Sequence, residues 1–254
     1  GETPPDSIYN AFALRNADAT VQAIEEAGLE KVDLVGDSEG SSVILTVANR
    51  LKEKGDVKVG NIVLVSPAGF GSPTFPELAK GIAKMLGQEA VRFVRLPRSR
   101  RNIIRMLNPK PFFEQDPRQL IKEGQDVSNA QMVKLMQGIG DYADSITVLH
   151  SNDDPVVGID AINTDVQYIL QEKRRAFEAS LREEVKAGTV TPDEADRKRE
   201  ANRKEEEHNP LIASANKAGH IYFEYGQEVN IPIVCEILNW QDSRNMSNQD
   251  KDVA

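Results

Sequence analysis

Three short segments decide most of what this chain can fold into. Lys31–Val35, Asn61–Val65 and Ser145–Leu149 are each of strand length, and the last two are nearly continuous apolar runs with no polar face to turn toward water. Strands that are apolar on both sides belong in a sheet covered on both sides, and parallel sheets are covered in that way by helices. The residues between them fit. Ala11–Ala27 repeats Ala, Leu, Val and Ile at helical spacing and stops at Gly28, and Ser41–Lys54 does the same before Gly55. The expected class is therefore α/β, built on a parallel sheet.

Two long stretches do not belong to that alternation. Pro73–Tyr142 reads as several helices interrupted at Pro97, Pro109, Pro111 and Pro117, with no strand among them, so residues 70–142 are expected to form a helical cap above the sheet. From 165 to 208 the composition shifts to Lys, Arg, Glu, Asp and Ala. Ten basic and eleven acidic residues lie between Glu172 and Glu207, and Gly188–Pro192 breaks the stretch in two. Charges that nearly cancel on two helical patterns predict a solvated helical hairpin, inserted into the domain. Leu211–Ala213 follows with no element assigned, and Val229–Trp240 reads as a last apolar helix. With no internal repeat, all 254 residues are read as a single domain.

Charge and composition exclude some function classes. There are 31 Lys and Arg against 40 Asp and Glu, a net charge of −9, which argues against a surface built as a whole for nucleic-acid phosphate or an anionic membrane, though local basic patches remain open. The single cysteine, Cys235, rules out an intramolecular disulfide and a Cys-rich zinc site. Apolar stretches such as Asn61–Ala68 and Ile231–Leu238 fall short of the roughly 18 to 20 residues of a membrane span. Gly1-Glu-Thr-Pro-Pro-Asp-Ser7 has no initiator Met, basic n-region or apolar h-region, so it reads as neither a signal peptide nor a natural start. A cytoplasmic setting fits these features. No metal, nucleotide or flavin motif is present, and no cofactor is expected.

The chemistry-bearing motif is Gly36-Asp37-Ser38-Glu39-Gly40, a G-x-S-x-G sequence placed between an expected strand and an expected helix. In that position the pattern has a mechanical meaning. A serine on so sharp a turn takes strained backbone angles, and small neighbours on both sides let strand and helix approach. Gly36 and Gly40 are expected to supply that room. The turn also aims the backbone N–H of Glu39 and the positive end of the following helix at the place where an oxyanion would form. Asp37 and Glu39 are unusual company, because carboxylates beside a centre that becomes negative raise the cost of that charge.

From the motif onward the chain resembles the α/β-hydrolase family, in the order nucleophile, acid, base. His150-Ser-Asn-Asp-Asp154-Pro-Val-Val157 is similar to the family's acid loop, with Ser151 replacing the usual Gly. Ala218-Gly219-His220, ahead of an apolar helix, is similar to the loop that carries the catalytic histidine. The resemblance implies Ser38 as nucleophile, Asp154 as acid with Asp153 as the substitute, His220 as base, and an acyl substrate of small size. His150 and His208 read instead as a strand-end and a helix-end side chain. Gly1-Glu-Thr3 resembles the end of the family's loop after its fourth strand. The likeness thus implies that only the later strands are present, in a fragment or half of a split enzyme that associates with a missing N-terminal segment or with a second copy, with a natural short form as the third case.

One basic run stands apart. Arg92, Arg95, Arg98, Arg100, Arg101 and Arg105 occur without an acid among them in an otherwise acidic protein. Arg92, Arg95, Arg98 and Arg101 are candidates for an anion-capturing rim, since guanidinium groups grip carboxylates and phosphates in two-pronged fashion. A solvated helix face is the alternative. A rival for the whole chain is a non-catalytic interaction or ligand-binding protein that uses the charged hairpin or this arginine run.

Overall fold

The computed structural model describes residues 11–71, 73–95, 125, 131–139, 142–151, 154–208, 212–215 and 234–239. Strands β1 (Lys31–Asp37), β2 (Lys58–Val65), β3 (Ala143–Ser151) and β4 (Ile212–Ala215) lie in the order β1-β2-β3-β4, and every neighbouring pair is parallel. Helices α1 (Ala11–Glu26) and α2 (Gly40–Lys54) flank β1, α3 (Phe75–Arg95) and α4 (Met132–Ile139) fall between β2 and β3, and α5 (Ile159–Lys186) and α6 (Pro192–His208) between β3 and β4. The fold is α/β. No described helix is long and apolar enough to cross a membrane.

β2 is the strand that the hydrophobic pattern describes best. From Val59 to Val65 every residue is buried. Ile62 and Leu64 join Leu34, Val148 and the inward residues of α1, α2 and α4 in the main core, whereas Val63 and Val65 meet Leu149 and Val234 in a smaller cluster. β1 has a different setting. It is the edge strand of the described sheet, with buried Leu34 and Gly36 alternating with Asp33 and Val35, which are exposed. Its pairing with β2 also slips between Val32 and Leu34, where the Asp33 carboxylate accepts the Asn61 N–H at 2.6 Å. A side chain there takes over an acceptor position that a regular ladder gives to backbone.

Between β2 and β3 the helices have different surroundings. α4 lies in the main core through Met132, Leu135, Met136 and Ile139, and Asn49 of α2 donates to Leu135 O at 3.0 Å. α3 starts with a capping box in which the Thr74 N–H and hydroxyl both donate to Glu77, each at 2.8 Å. Those two bonds hold the Glu77 carboxyl below its ordinary range.

The charge-rich segment begins inside α5 and has no boundary of its own. That helix starts at Ile159, and Ile162, Val166 and Ile169 are buried in the main core. Farther along, Leu181 is buried, as is Ala195 of α6, and exposed ion pairs run between and along the two helices. Lys198 meets Glu184 at 2.6 Å and Arg199 meets Glu178 at 2.9 Å across the two helices, and Arg175–Glu172 and Arg203–Glu200 lie along them.

Candidate active site

Ser38 occupies the step between the last residue of β1 and Glu39, which precedes α2, and its φ is 51°. Left-handed angles are costly for any residue with a side chain, so the surroundings must enforce them. They do so through backbone. The Ser38 N–H donates to Val65 O at 2.8 Å, and Ser38 O accepts from the Ser41 N–H at 3.1 Å and the Ala68 N–H at 3.2 Å. The turn is thereby tied to α2 on one side and to the end of β2 on the other. Two serines of α2 tighten it further, Ser41 Oγ donating to Gly36 O at 3.0 Å and Ser42 Oγ to Glu39 O at 2.9 Å.

The two glycines of the motif are not equivalent. A Cβ on Gly36 would sit 2.7 Å from Gly40 O and 2.8 Å from two carbons of Ile44, so only hydrogen fits where strand and helix cross. A Cβ on Gly40 would meet nothing within 4 Å. The expectation that both glycines make room holds for Gly36 and fails for Gly40, because Gly40 begins the helix on its open side. No side chain caps α2 at Glu39, leaving the start of the helix facing the turn without that competitor. Asp37 and Glu39 are half-buried, each with one carboxylate oxygen shut off from solvent.

Asp154 follows the end of β3 by three residues and is half-buried. Its Oδ1 accepts the N–H groups of Val156 at 2.8 Å and Val157 at 3.0 Å, an Asx-type turn that fixes the carboxylate relative to its own loop. α3 presses on this loop at Gly81, where a Cβ would come within 2.7 Å of Pro155 O. Ser38 and Asp154 therefore both stand past carboxyl ends of parallel strands, the end at which open α/β sheets present their ligands. β2 separates the two strands, about 10 Å at ordinary strand spacing.

Other sequence candidates fall differently. His220 and Asp153 lie outside the described residues; His220 comes five residues after Ala215, the end of β4. Arg92 and Arg95 are in the last turns of α3, with only their backbone described, and Arg98 and Arg101 lie outside. His150 is fully buried in β3. Among the described residues no three His, Cys, Asp or Glu side chains gather as a metal-binding group.

Sequence reasoning missed Ser66. It has a φ of 42°, is fully buried, and donates its N–H to Leu149 O at 2.8 Å, one strand along from the way Ser38 bonds Val65. Its Oγ has no hydrogen-bond partner among the described residues. The run Ser66-Pro-Ala-Gly69 shows a turn in the sequence, but nothing local shows that the hydroxyl is buried.

No protein-family model matches the sequence, and no curated protein matches it. Among solved structures, a type II thioesterase, BorB, from the borrelidin biosynthetic cluster is similar at 14% identity and a TM-score of 0.35, covering 93% of this chain and 75% of its own. Carboxylesterase CesB (YbfK) from Bacillus subtilis is similar at 15% identity and a TM-score of 0.33, covering 91% and 67%. At these values neither family nor chemistry follows from the likeness.

Proposed function

We propose that this chain is a serine hydrolase of the α/β-hydrolase type, acting on a carboxylic ester or related acyl compound of small size. The observation that carries the proposal is the strained Ser38, held at the strand-to-helix turn by backbone bonds to Val65 and Ala68. Strain of this kind persists only where the surroundings over-determine it, and it lifts a side chain clear of the sheet at the point where a helix begins.

In the proposed reaction Ser38 Oγ attacks the acyl carbon and a new O–C bond forms. The hydroxyl proton passes to His220, and the carbonyl oxygen takes the negative charge, stabilised by the Glu39 N–H and the start of α2. Collapse expels the leaving group, which takes the proton from His220. Water then attacks the acyl-enzyme by the same relay, and Asp154 orients the imidazole and stabilises its cation throughout. In this reading the β1–β3 separation is bridged by the histidine ring. Residues 70–142 serve as the cap over the acyl group and residues 165–208 as an insertion between acid and base.

A fluorophosphonate probe tests the proposal. Wild-type protein is expected to become labelled at Ser38, and Ser38→Ala to lose labelling and ester hydrolysis by on the order of 10³-fold or more. If wild-type protein stays unlabelled and Ser38→Ala leaves a panel of ester hydrolyses unchanged, the proposal is wrong. The second reading, a non-catalytic binding protein on this scaffold, is favoured by Asp37 and Glu39, whose partly buried carboxylates oppose an oxyanion beside Ser38.

A further inference from the structure

We infer that Ser66 is a positioning residue for Ser38, and that its hydroxyl takes its hydrogen-bond partner from the assembled site rather than from the surrounding fold. The inference rests on the hydrolase reading above and names a residue that reading does not use.

Ser66 combines two costs at one position. A fully buried hydroxyl with no partner among the described residues loses its hydration and gains no bond in return, and a φ of 42° is strained for any residue except glycine. Alanine would avoid the first cost and glycine both. Neither is present, and the position is not incidental to the proposed chemistry. Ser66 stands at the end of the middle strand β2, between the strand that leads to Ser38 and the strand that leads to Asp154. The residue before it supplies the oxygen that accepts the Ser38 N–H, and Ala68, two residues later, supplies the N–H that bonds Ser38 O. Its own N–H is anchored on Leu149 of β3.

The turn 65–68 is therefore the clamp on the Ser38 backbone, and Ser66 is its corner. A water or a polar group brought in when the site is occupied satisfies the hydroxyl and stiffens the corner. Through Val65 and Ala68 that stiffness reaches the Ser38 backbone and fixes the direction of Oγ. A buried polar group left unsatisfied by the fold calls for an explanation, and a role in catalysis is one of the few available.

The experiment compares wild type, Ser66→Ala and Ser66→Gly by fluorophosphonate labelling and thermal melting. In labelling, Ser38 Oγ bonds to phosphorus, the P–F bond breaks, fluoride leaves, and the hydroxyl proton passes to the general base. Both variants are expected to keep the wild-type melting temperature or exceed it, since each removes an unsatisfied hydroxyl. Both are expected to lower the maximal labelling rate constant about tenfold, with the half-saturating probe concentration unchanged. Three outcomes overturn the inference. One is a lower melting temperature with labelling reduced only in proportion to the native fraction, which is the behaviour of a structural hydroxyl. Another is a wild-type labelling rate in both variants while wild-type protein itself reacts, which leaves the hydrolase proposal standing. If wild-type protein does not react at all, both fall together.

Discussion

Helix α5 belongs to two regions that are held together by different forces. Its first turns, through Ile162, Val166 and Ile169, are part of the same core that packs under β1 and β2. Past these turns Leu181 is the one buried apolar residue, and the helix is attached to α6 by exposed ion pairs such as Lys198–Glu184 and Arg199–Glu178. Exposed pairs of this kind contribute little each, because water screens them and long side chains must be held still. The sheet end that carries Ser38 is thus positioned by apolar burial and backbone bonds, and the hairpin by surface electrostatics and one small apolar contact. Chemistry that requires a strained backbone belongs with the first region, where the restraint is stiff.

The largest effect should come from cutting the same helix at its two ends. Ile162→Ala removes a fully buried side chain from the main core and is expected to lower global stability by about 2–5 kcal/mol in denaturant unfolding. Leu181→Ala is expected to raise hydrogen exchange within α6 and the second half of α5 while leaving the midpoint of sheet unfolding in place. Equal losses of global stability in the two variants would break the distinction and make the hairpin part of a single cooperative unit.

The second comparison lies within the motif. Gly36→Ala forces a Cβ against Gly40 O and Ile44 and is expected to cost about 1–3 kcal/mol, with slower labelling at Ser38 because the turn itself must move. Gly40→Ala meets no atom within 4 Å and begins a helix, so a gain of up to about 1 kcal/mol is expected. Similar melting temperatures for the two variants would mean that crowding at the strand–helix crossing does not hold the turn.

How much of this was legible in the sequence follows the same division. β1, α2 and the serine between them could be read because Lys31–Gly55 carries its own signals: a β-branched strand, a glycine-flanked turn and a helix closed by Gly55, whose φ is 77°. β4 could not. Ile212-Ala-Ser-Ala215 has one β-branched residue and no alternation, and it is a strand because β3 offers it an edge. The start of α5 was obscured by its charged continuation, although Ile159, Ile162, Val166 and Ile169 already stand at helical spacing. Ser66 illustrates the limit: the turn is written in Ser66-Pro67, but the burial of a hydroxyl is decided by strands that are distant in sequence.

The smallest expected effect also separates the two regions, because among the described residues an alkaline response belongs to the sheet region alone. The Tyr142 hydroxyl shares its one hydrogen between Leu51 O, at 2.9 Å, and Val57 O, tying the start of β3 to α2 and to the residue before β2. Burial, with Asp56 nearby, raises its phenol above the ordinary value of 10.0. A raised folded-state pKa means the stabilisation is complete below pH 10 and is lost as pH climbs through the folded value. Glu194 behaves oppositely. The Thr191 N–H and then the Thr191 hydroxyl hold its carboxyl below 4.5, so the cap of α6 is intact above that pH and is lost as pH falls through the folded value. Acid titration is therefore expected to fray the capped start of α6, and with it the start of α3, where Thr74 holds Glu77 in the same way, while alkali weakens the Tyr142 tie of the sheet region, as followed by hydrogen exchange in each element. Thr191→Ala should remove the acid sensitivity of α6 and leave that of α3 in place. Tyr142→Phe should remove the alkaline sensitivity alone, with a loss of about 1 kcal/mol at neutral pH from its shared hydrogen bond. Loss of both sensitivities in either variant would show that the hairpin and the sheet respond as one body, and the positional advantage argued for Ser38 would then extend to the whole chain.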